Sequence, residues 1–279
     1  MGNSWSHIQL GRRQLNEQSV AVNRTGGPRF SAWTYTIAVY VPAIALAEVV
    51  GTFIGPVPSA ICHAVLLSVL LAHYALLDEQ PYRRILPVLA LAPLTRLFSL
   101  TMPIRQVPQI YWYALVGIPL LIGVALTTRL LGFKGEEIGL RLRAWRWQVP
   151  IAFSGVPLSL VAFWIRRPAP LFTEPRWYDW VLGAAILLVF TGFGEEVLYR
   201  GLLQTAASDM PGLLAVLYGS VVFTIMYIGT LSLGYVLFVQ VMALFFGWCV
   251  LRTRSIWGVV LAHSITNMGL LLLWPYVWS

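Results

Sequence analysis

Long apolar runs recur along the whole chain, and they restrict its fold more than any other feature. They lie near residues 33–54, 58–77, 85–104, 109–128, 147–165, 180–199, 211–229, 232–251 and 256–276. Each run has about 20 residues, which as an α-helix crosses the ~30 Å hydrocarbon core of a bilayer. Helices are favoured because a spanning segment must satisfy its own backbone polar groups. The runs predict an all-α polytopic transmembrane helical bundle of eight or nine spans, eight if one run is re-entrant.

The low content of charge supports a membrane location and excludes several other classes of protein. Only 11% of the residues are charged, against about 25% in a soluble domain. The net charge is +8, but the basic residues lie in short segments between the apolar runs. That placement is typical of topology control and not of a nucleic-acid-binding surface. We therefore predict contacts with lipid and none with nucleic acid.

The basic residues also predict an orientation. With nine crossings and a cytoplasmic N-terminus, the outer segments hold only Arg105, Arg166, Arg167 and Arg176. The cytoplasmic segments hold Arg12, Arg13, Arg24, Arg29, Arg83, Arg84, Arg129, Lys134, Arg141, Arg143, Arg146, Arg200, Arg252 and Arg254. This bias predicts an N-terminus inside and a C-terminus outside. Residues 1–31 are then a cytoplasmic arm and residues 32–279 one transmembrane domain, in the plasma membrane of a prokaryote.

Ionisable residues inside the runs are candidates for function, because charge is costly within a bilayer. The set comprises Glu48, His63, His73, Arg96, Glu195, Glu196, Arg200 and His263. The alternative for any one of them is a buried polar contact that fixes helix packing. Arg96 has no acid nearby in sequence, and leaving it unpaired would cost at least ~2.5 kcal/mol. We expect it to meet Glu48 from another span or a carbonyl at a helix end.

Two adjacent acids stand in the segment TGFGEEVLYR, at the end of the sixth run. Adjacent positions on a helix point about 100° apart, so Glu195 and Glu196 do not share one role. Glu196 and Arg200 are spaced i, i+4 with the acid first, which favours an ion pair. Glu195 has no such local partner and is a candidate general base. The alternative is that both acids lie at the water interface and only solvate a helix end.

A second polar pattern lies in the last run, in the segment LAHSITN. His263 and Asn267 are spaced i, i+4 and share one helix face. Two such side chains can donate hydrogen bonds to one developing oxyanion. The alternative is a polar pair that joins two helices. Phe223 and Tyr227 have the same spacing in the seventh run, where aromatic residues usually serve packing.

Together these segments resemble the three motifs of the CPBP family of intramembrane glutamic proteases, which includes the type II CAAX prenyl proteases and the bacteriocin-processing (Abi) proteins. Residues 195–200, EEVLYR, match the motif EExxxR. Residues 263–267, HSITN, match the motif HxxxN. Residues 223–227, FTIMY, correspond to FxxxH with tyrosine in place of histidine. The resemblance covers about residues 180–270.

The resemblance implies a peptidase mechanism. Glu195 is expected to activate a water, a task that the family shares with the histidine of the second motif, here Tyr227. A phenol donates a hydrogen bond but does not accept and return a proton as imidazole does. Without that histidine the residues are a poor ligand set for zinc, and no metal or other cofactor is predicted. The other implied roles are oxyanion donors, His263 and Asn267, and support of the site, Glu196 and Arg200.

Three functions follow as hypotheses. The first is an intramembrane endopeptidase acting on a membrane-bound or lipidated peptide, with activity reduced or lost because of Tyr227. The second is a non-catalytic subunit that keeps the protease scaffold and binds other subunits of a larger membrane complex. The third is a pigment- or haem-binding subunit using His63 and His73, which are ten residues apart and about 80° out of register on a helix, so they would not share one ligand.

Overall fold

The computed structural model describes residues 36–77, 81–102 and 107–278. Over these ranges the chain is a bundle of nine helices without strands, which confirms the predicted all-α polytopic architecture. The helices are α1 (Ala38–Phe53), α2 (Pro56–Leu76), α3 (Ile85–Thr101), α4 (Gln109–Leu130), α5 (Trp145–Arg166), α6 (Trp177–Ala206), α7 (Gly212–Ile225), α8 (Leu233–Thr253) and α9 (Trp257–Val277). The predicted N-terminal arm, residues 1–31, lies outside the described ranges.

Each of the nine apolar runs coincides with one helix, but the helices differ in length. Six of them, namely α2, α4, α5, α6, α8 and α9, are long and apolar enough to cross a membrane. The other three, α1, α3 and α7, have 10–17 residues. A helix of 17 residues is about 26 Å long, which is short of the hydrocarbon core. By length and composition the described helices thus give six spans where eight or nine were predicted.

Helix α6 has irregular backbone around the paired acids. It has 30 residues, and two of its segments, Leu187–Phe193 and Val197–Leu203, are π-helical. Between them lies a three-residue α-helical segment, Gly194–Glu196. π-helical turns shift the register of the side chains that follow and are frequent at functional sites. The acidic pair is thus held in one short α-helical segment between two wider ones.

Helix α9 lies at the centre of the second half of the bundle, packed between α5 and α6. Small residues allow this close approach. A Cβ atom at Gly192 of α6 would overlap Ser264 of α9, and one at Gly155 of α5 would overlap the carbonyl of Ala262. Close contact through small residues is the usual way in which helices associate in a bilayer. This contact brings the paired acids of α6 to the level of His263.

The remaining helices pack around this centre. Helices α7 and α8 form an antiparallel pair, and α2 packs against both α1 and α3. Helix α4 lies against α3 and against the middle of α6. The turn Ile228–Thr230 after α7 packs on α1. That turn connects the first half of the bundle to the region of Tyr227.

Candidate active site

Glu196, Arg200 and His263 form a buried network that joins α6 to α9. Arg200 Nη1 donates a hydrogen bond to Glu196 Oε1 at 2.9 Å. The same oxygen lies 2.7 Å from His263 Nδ1. All three side chains are almost completely buried. Glu196 is thus paired with Arg200, as its spacing predicts, and its charge also holds the imidazole of His263 in place.

The contact with Glu196 determines how the His263 ring presents its other nitrogen. An ionised carboxylate only accepts hydrogen bonds, so Nδ1 carries the proton that Glu196 receives. Nε2 then lies on the opposite side of the ring, 3.8 Å from Glu195 Oε2. In the neutral imidazole this nitrogen has a free lone pair and can accept a proton. A carboxylate behind a histidine orients the general base of many hydrolases in the same way.

Glu195 differs from its neighbours because it borders open space. Its side chain is 26% exposed, whereas that of Glu196 is fully buried. Glu195 lines a cavity of about 510 Å³ together with Tyr227 and Asn267. The Tyr227 hydroxyl donates to Glu195 Oε2 across 3.5 Å. No arginine or lysine of the described ranges forms an ion pair with Glu195, so its charge faces the cavity.

The cavity is mostly apolar and aromatic. It extends from Glu195 in the middle of α6 to Gln109, Arg166 and Thr230, at the ends of neighbouring helices and of the turn after α7. Its aromatic lining consists of Trp112, Tyr113, Phe190, Tyr199, Phe223, Tyr227 and Tyr235. Ligand sites typically combine such a lining with a few polar groups. The cavity suits an apolar peptide segment placed next to one carboxylate.

Asn267 and His263 do not stand side by side on the cavity wall. Asn267 lines the cavity and donates through Nδ2 to Thr191 Oγ1 at 3.0 Å. Thr191 in turn donates to the carbonyl of Leu187. His263 is 1% exposed and lies behind Glu195. Of these two side chains, the structure brings only the Asn267 amide to the cavity. A shared oxyanion site formed by both residues remains a prediction.

Phe223 joins these groups, although its spacing alone suggested only packing. Its ring meets the His263 ring edge-on, with centroids 6.0 Å apart. The Arg200 guanidinium lies 4.5 Å from the Phe223 centroid, a cation–π contact. The Tyr227 ring is 5.2 Å away. Phe223 thus separates the buried network from Tyr227, and the only sequence signal for this was its place in the second motif.

A second buried cluster lies in the first half of the bundle. Arg96 donates to both carboxylate oxygens of Glu48, through Nε and Nη2. Arg96 Nη2 also donates to the carbonyl of Met226 at 2.8 Å. His63 Nε2 lies 3.2 Å from Glu48 Oε1. The predicted pairing of Arg96 with Glu48 is confirmed, and the expected carbonyl at a helix end is present as well.

The two histidines of α2 have separate protein contacts. His63 is completely buried beside Glu48. His73 Nδ1 lies 2.8 Å from the hydroxyl of Tyr40. Among the described residues, no three histidine, cysteine or acidic side chains are grouped so as to hold a metal ion. Each histidine thus contacts a residue of α1: His63 contacts Glu48, and His73 contacts Tyr40.

Comparison with known proteins agrees with the three motifs. Residues 177–269 match the family model described as Type II CAAX prenyl endopeptidase Rce1-like. This range contains all three motif segments and confirms the resemblance to the CPBP family. Neither the curated proteins nor the solved structures gave a match to the chain. The match supports a CAAX-protease type of domain in a membrane protein of six or more apolar helices.

Proposed function

We propose that the protein is an intramembrane endopeptidase in which Glu195 activates a water to hydrolyse a peptide bond of a membrane-bound or lipidated substrate. One observation carries this proposal. Of the two acids in the first motif, Glu195 alone borders the cavity and lacks a guanidinium partner. Glu196 is already bound by Arg200 and His263. A free carboxylate beside an apolar cavity is suited to proton transfer at a bound peptide.

The reaction follows from these positions. A water between the peptide and Glu195 gives a proton to the carboxylate as its oxygen attacks the carbonyl carbon. The resulting oxyanion accepts hydrogen bonds from the Asn267 amide, whose second N–H is not used by Thr191, and from the Tyr227 hydroxyl. The C–N bond then breaks as Glu195 returns the proton to the leaving amine. His263 Nε2, oriented by Glu196, is a second acceptor for that proton.

Tyr227 makes this a slow enzyme. Its hydroxyl reaches Glu195 at 3.5 Å, so it can orient the carboxylate or an oxyanion. It does not take the water's proton, which leaves that step to Glu195, with His263 behind it. A positioned general acid or base typically contributes about 10²–10⁴-fold to the rate. We therefore expect activity below that of relatives with a histidine at this position.

The same contact favours a second function, that of a non-catalytic subunit. The Tyr227 hydroxyl already occupies one oxygen of Glu195. A site closed in this way would keep the scaffold while other membrane subunits bind its outer surface. The cavity of about 510 Å³ argues for the enzyme, because a scaffold without substrate has no need of open space beside a carboxylate. The two functions differ in whether any peptide is cleaved.

The test is cleavage of fluorogenic peptides, with and without a prenyl group, by the full chain in liposomes. Wild type should cleave slowly, and Glu195→Gln should lose about 10²–10⁴-fold in rate. Glu174→Gln, at an exposed acid of the loop before α6 that lines neither cavity, is the matched control and should behave as wild type. If wild type cleaves no peptide, and a membrane partner co-purifies to the same extent with wild type and with Glu195→Gln, the endopeptidase hypothesis is rejected in favour of the non-catalytic subunit.

A further inference from the structure

A larger cavity, of about 1240 Å³, lies at the other end of α6. It is formed by the last residues of α2, α4, α6 and α8, the short turn before α3, the first residues of α7, and the loops after α4 and α6. All of these segments lie at one end of the antiparallel helices, opposite to Gln109 and Arg166 of the first cavity. The larger cavity is therefore placed at the membrane surface on the side predicted to be cytoplasmic.

The lining of this cavity is rich in arginine. Three acids, Glu136, Glu137 and Asp209, stand against five arginines: Arg83, Arg84, Arg143, Arg200 and Arg254. Arg143 pairs with Glu136 and Arg200 pairs with Glu196. In the part of the chain that the structure describes, Arg83, Arg84 and Arg254 have no carboxylate partner. Three guanidinium groups without a carboxylate thus line the same space, and of these Arg83 donates to a backbone carbonyl.

Aromatic rings hold the first two arginines in position. The Arg83 guanidinium lies 4.3 Å from the centroid of Tyr74, and its Nε donates to the Tyr74 carbonyl at 3.1 Å. The Arg84 guanidinium lies 5.5 Å from the centroid of Phe133. Stacking of this kind orders the planar group while it leaves the outer N–H donors free. Such donors bind phosphate oxygens with little further loss of side-chain freedom.

Two acids of the lining have partners of their own in the loop after α4. Glu136 accepts from Arg141 and Arg143, each at 3.1 Å, and these arginines hold the pKa of its carboxyl below the ordinary value. The Glu137 carboxylate accepts from the backbone N–H of Lys134 at 2.8 Å. With Asp209 as the third acid, the five arginines of the lining exceed its acids by two. The field inside the cavity therefore favours an anion.

We propose that this cavity binds the phosphate of an anionic phospholipid headgroup, with Arg84 and Arg254 as its principal contacts. Basic pockets between helix ends at the membrane surface are suited to such headgroups. Leu130, whose side chain is 81% exposed, and Leu251 both line the cavity and provide apolar contacts for the lipid's upper acyl carbons. Those contacts favour a lipid over a free phosphate ion.

Arg200 connects this site to the candidate active site. It lines the cavity, and the same side chain holds Glu196. A phosphate bound beside Arg200 would compete with Glu196 for its donors. The lipid site is nevertheless independent of the proposed peptidase function, because its existence depends only on the cavity and its arginines.

The test is retention of phosphatidylglycerol against phosphatidylcholine by the full chain, measured by native mass spectrometry from mixed nanodiscs. The double variant Arg84→Gln/Arg254→Gln should lose about 30-fold in preference for phosphatidylglycerol, since each arginine contributes about fivefold near an anionic surface. Arg252→Gln is the matched control. Arg252 is exposed at the same end of α8 but does not line the cavity, and its removal should change the preference little.

Inorganic phosphate, added to the detergent-solubilised chain, separates the two sources of the anion. We expect it to compete weakly with phosphatidylglycerol and to raise the melting temperature only slightly. Full displacement of the lipid by phosphate would overturn the lipid assignment in favour of a soluble phosphate ligand. Equal retention of both lipids by wild type, or equal losses in the double variant and in Arg252→Gln, would overturn the site.

Discussion

The protein contains two buried clusters of the same residue types, and they differ in how the acids are paired. In the first half of the bundle, Arg96 engages both carboxylate oxygens of Glu48, with His63 beside them. In the second half, Arg200 donates to Glu196, and His263 contacts the same carboxylate oxygen.

The second cluster has one more acid. Glu195 has no guanidinium partner among the described residues and opens to a cavity. The first cluster, whose charges are matched, holds helices together. The second also has an unpaired carboxylate, that of Glu195, which can take part in proton transfer.

Removal of each acid should separate the two roles, and this is the largest effect that we expect. Glu195→Gln should abolish most peptidase activity, by about 10²–10⁴-fold, and leave the melting temperature in detergent nearly unchanged. Glu48→Gln should leave Arg96, which is partly buried, without its counter-ion and destabilise the fold by about 3 kcal/mol.

Cleavage assays and thermal unfolding of both variants provide the measurement. Equal loss of stability in the two variants would show that Glu195 is also a structural acid. In that case the comparison between the clusters fails.

Tyr227→His should sharpen the contrast by adding an imidazole next to the unmatched carboxylate. We expect the cleavage rate to rise by up to about 10²-fold, because a positioned imidazole can share the proton of the attacking water. Tyr235→His, at another tyrosine of the same cavity, is the matched control and should give no gain. A wild type as fast as Tyr227→His would mean that the His263–Glu196 pair already supplies the second proton acceptor.

Thr191→Val should test whether Asn267 is oriented for catalysis. The substitution removes the hydroxyl that accepts from Asn267 Nδ2, and one such hydrogen bond contributes about 1 kcal/mol. We expect about a fivefold loss of cleavage rate with little change in stability. Thr95→Val is the control, since Thr95 lines the same cavity but donates to the Leu91 carbonyl. Equal losses in both variants would assign Thr191 to packing alone.

Glu136→Gln should have the smallest effect on stability, because the ion pairs of Glu136 with arginine are exposed, whereas those of Glu48 and Glu196 lie inside the bundle. Its carboxylate, 57% exposed, bonds to Arg141 and Arg143, and exposed ion pairs contribute little to stability. The pKa of Glu136 is lowered by Arg141 and then by Arg143, so any stabilisation is present above the ordinary carboxyl pKa and is lost as the pH falls through the lowered value. Melting temperatures between pH 7 and pH 3 should show a small difference that disappears at the acidic end. A large difference at pH 7 would contradict this.

The sequence by itself determined the helical class and the approximate position of each helix. Hydropathy over about 20 residues depends only on local composition, so the nine runs coincide with nine helices in the described ranges. The i, i+4 spacing likewise determined the Glu196–Arg200 pair, because both residues are on one helix. The shorter lengths of α1, α3 and α7 did not follow, since helix ends depend on packing as well as on hydropathy.

The tertiary structure decided which charged groups meet across helices. The sequence indicated Glu48 or a helix-end carbonyl as the partner of Arg96, but it did not indicate that Arg96 binds both, nor that the carbonyl is that of Met226, 130 residues further along the chain. It did not indicate that His263 turns Nδ1 to Glu196 and Nε2 to Glu195, nor that Asn267 alone reaches the cavity. These contacts depend on the close approach of α6 to α9 at Gly192 and Ser264. Helix rotation and depth are set by packing between distant segments, and a local pattern of residues contains no measure of either.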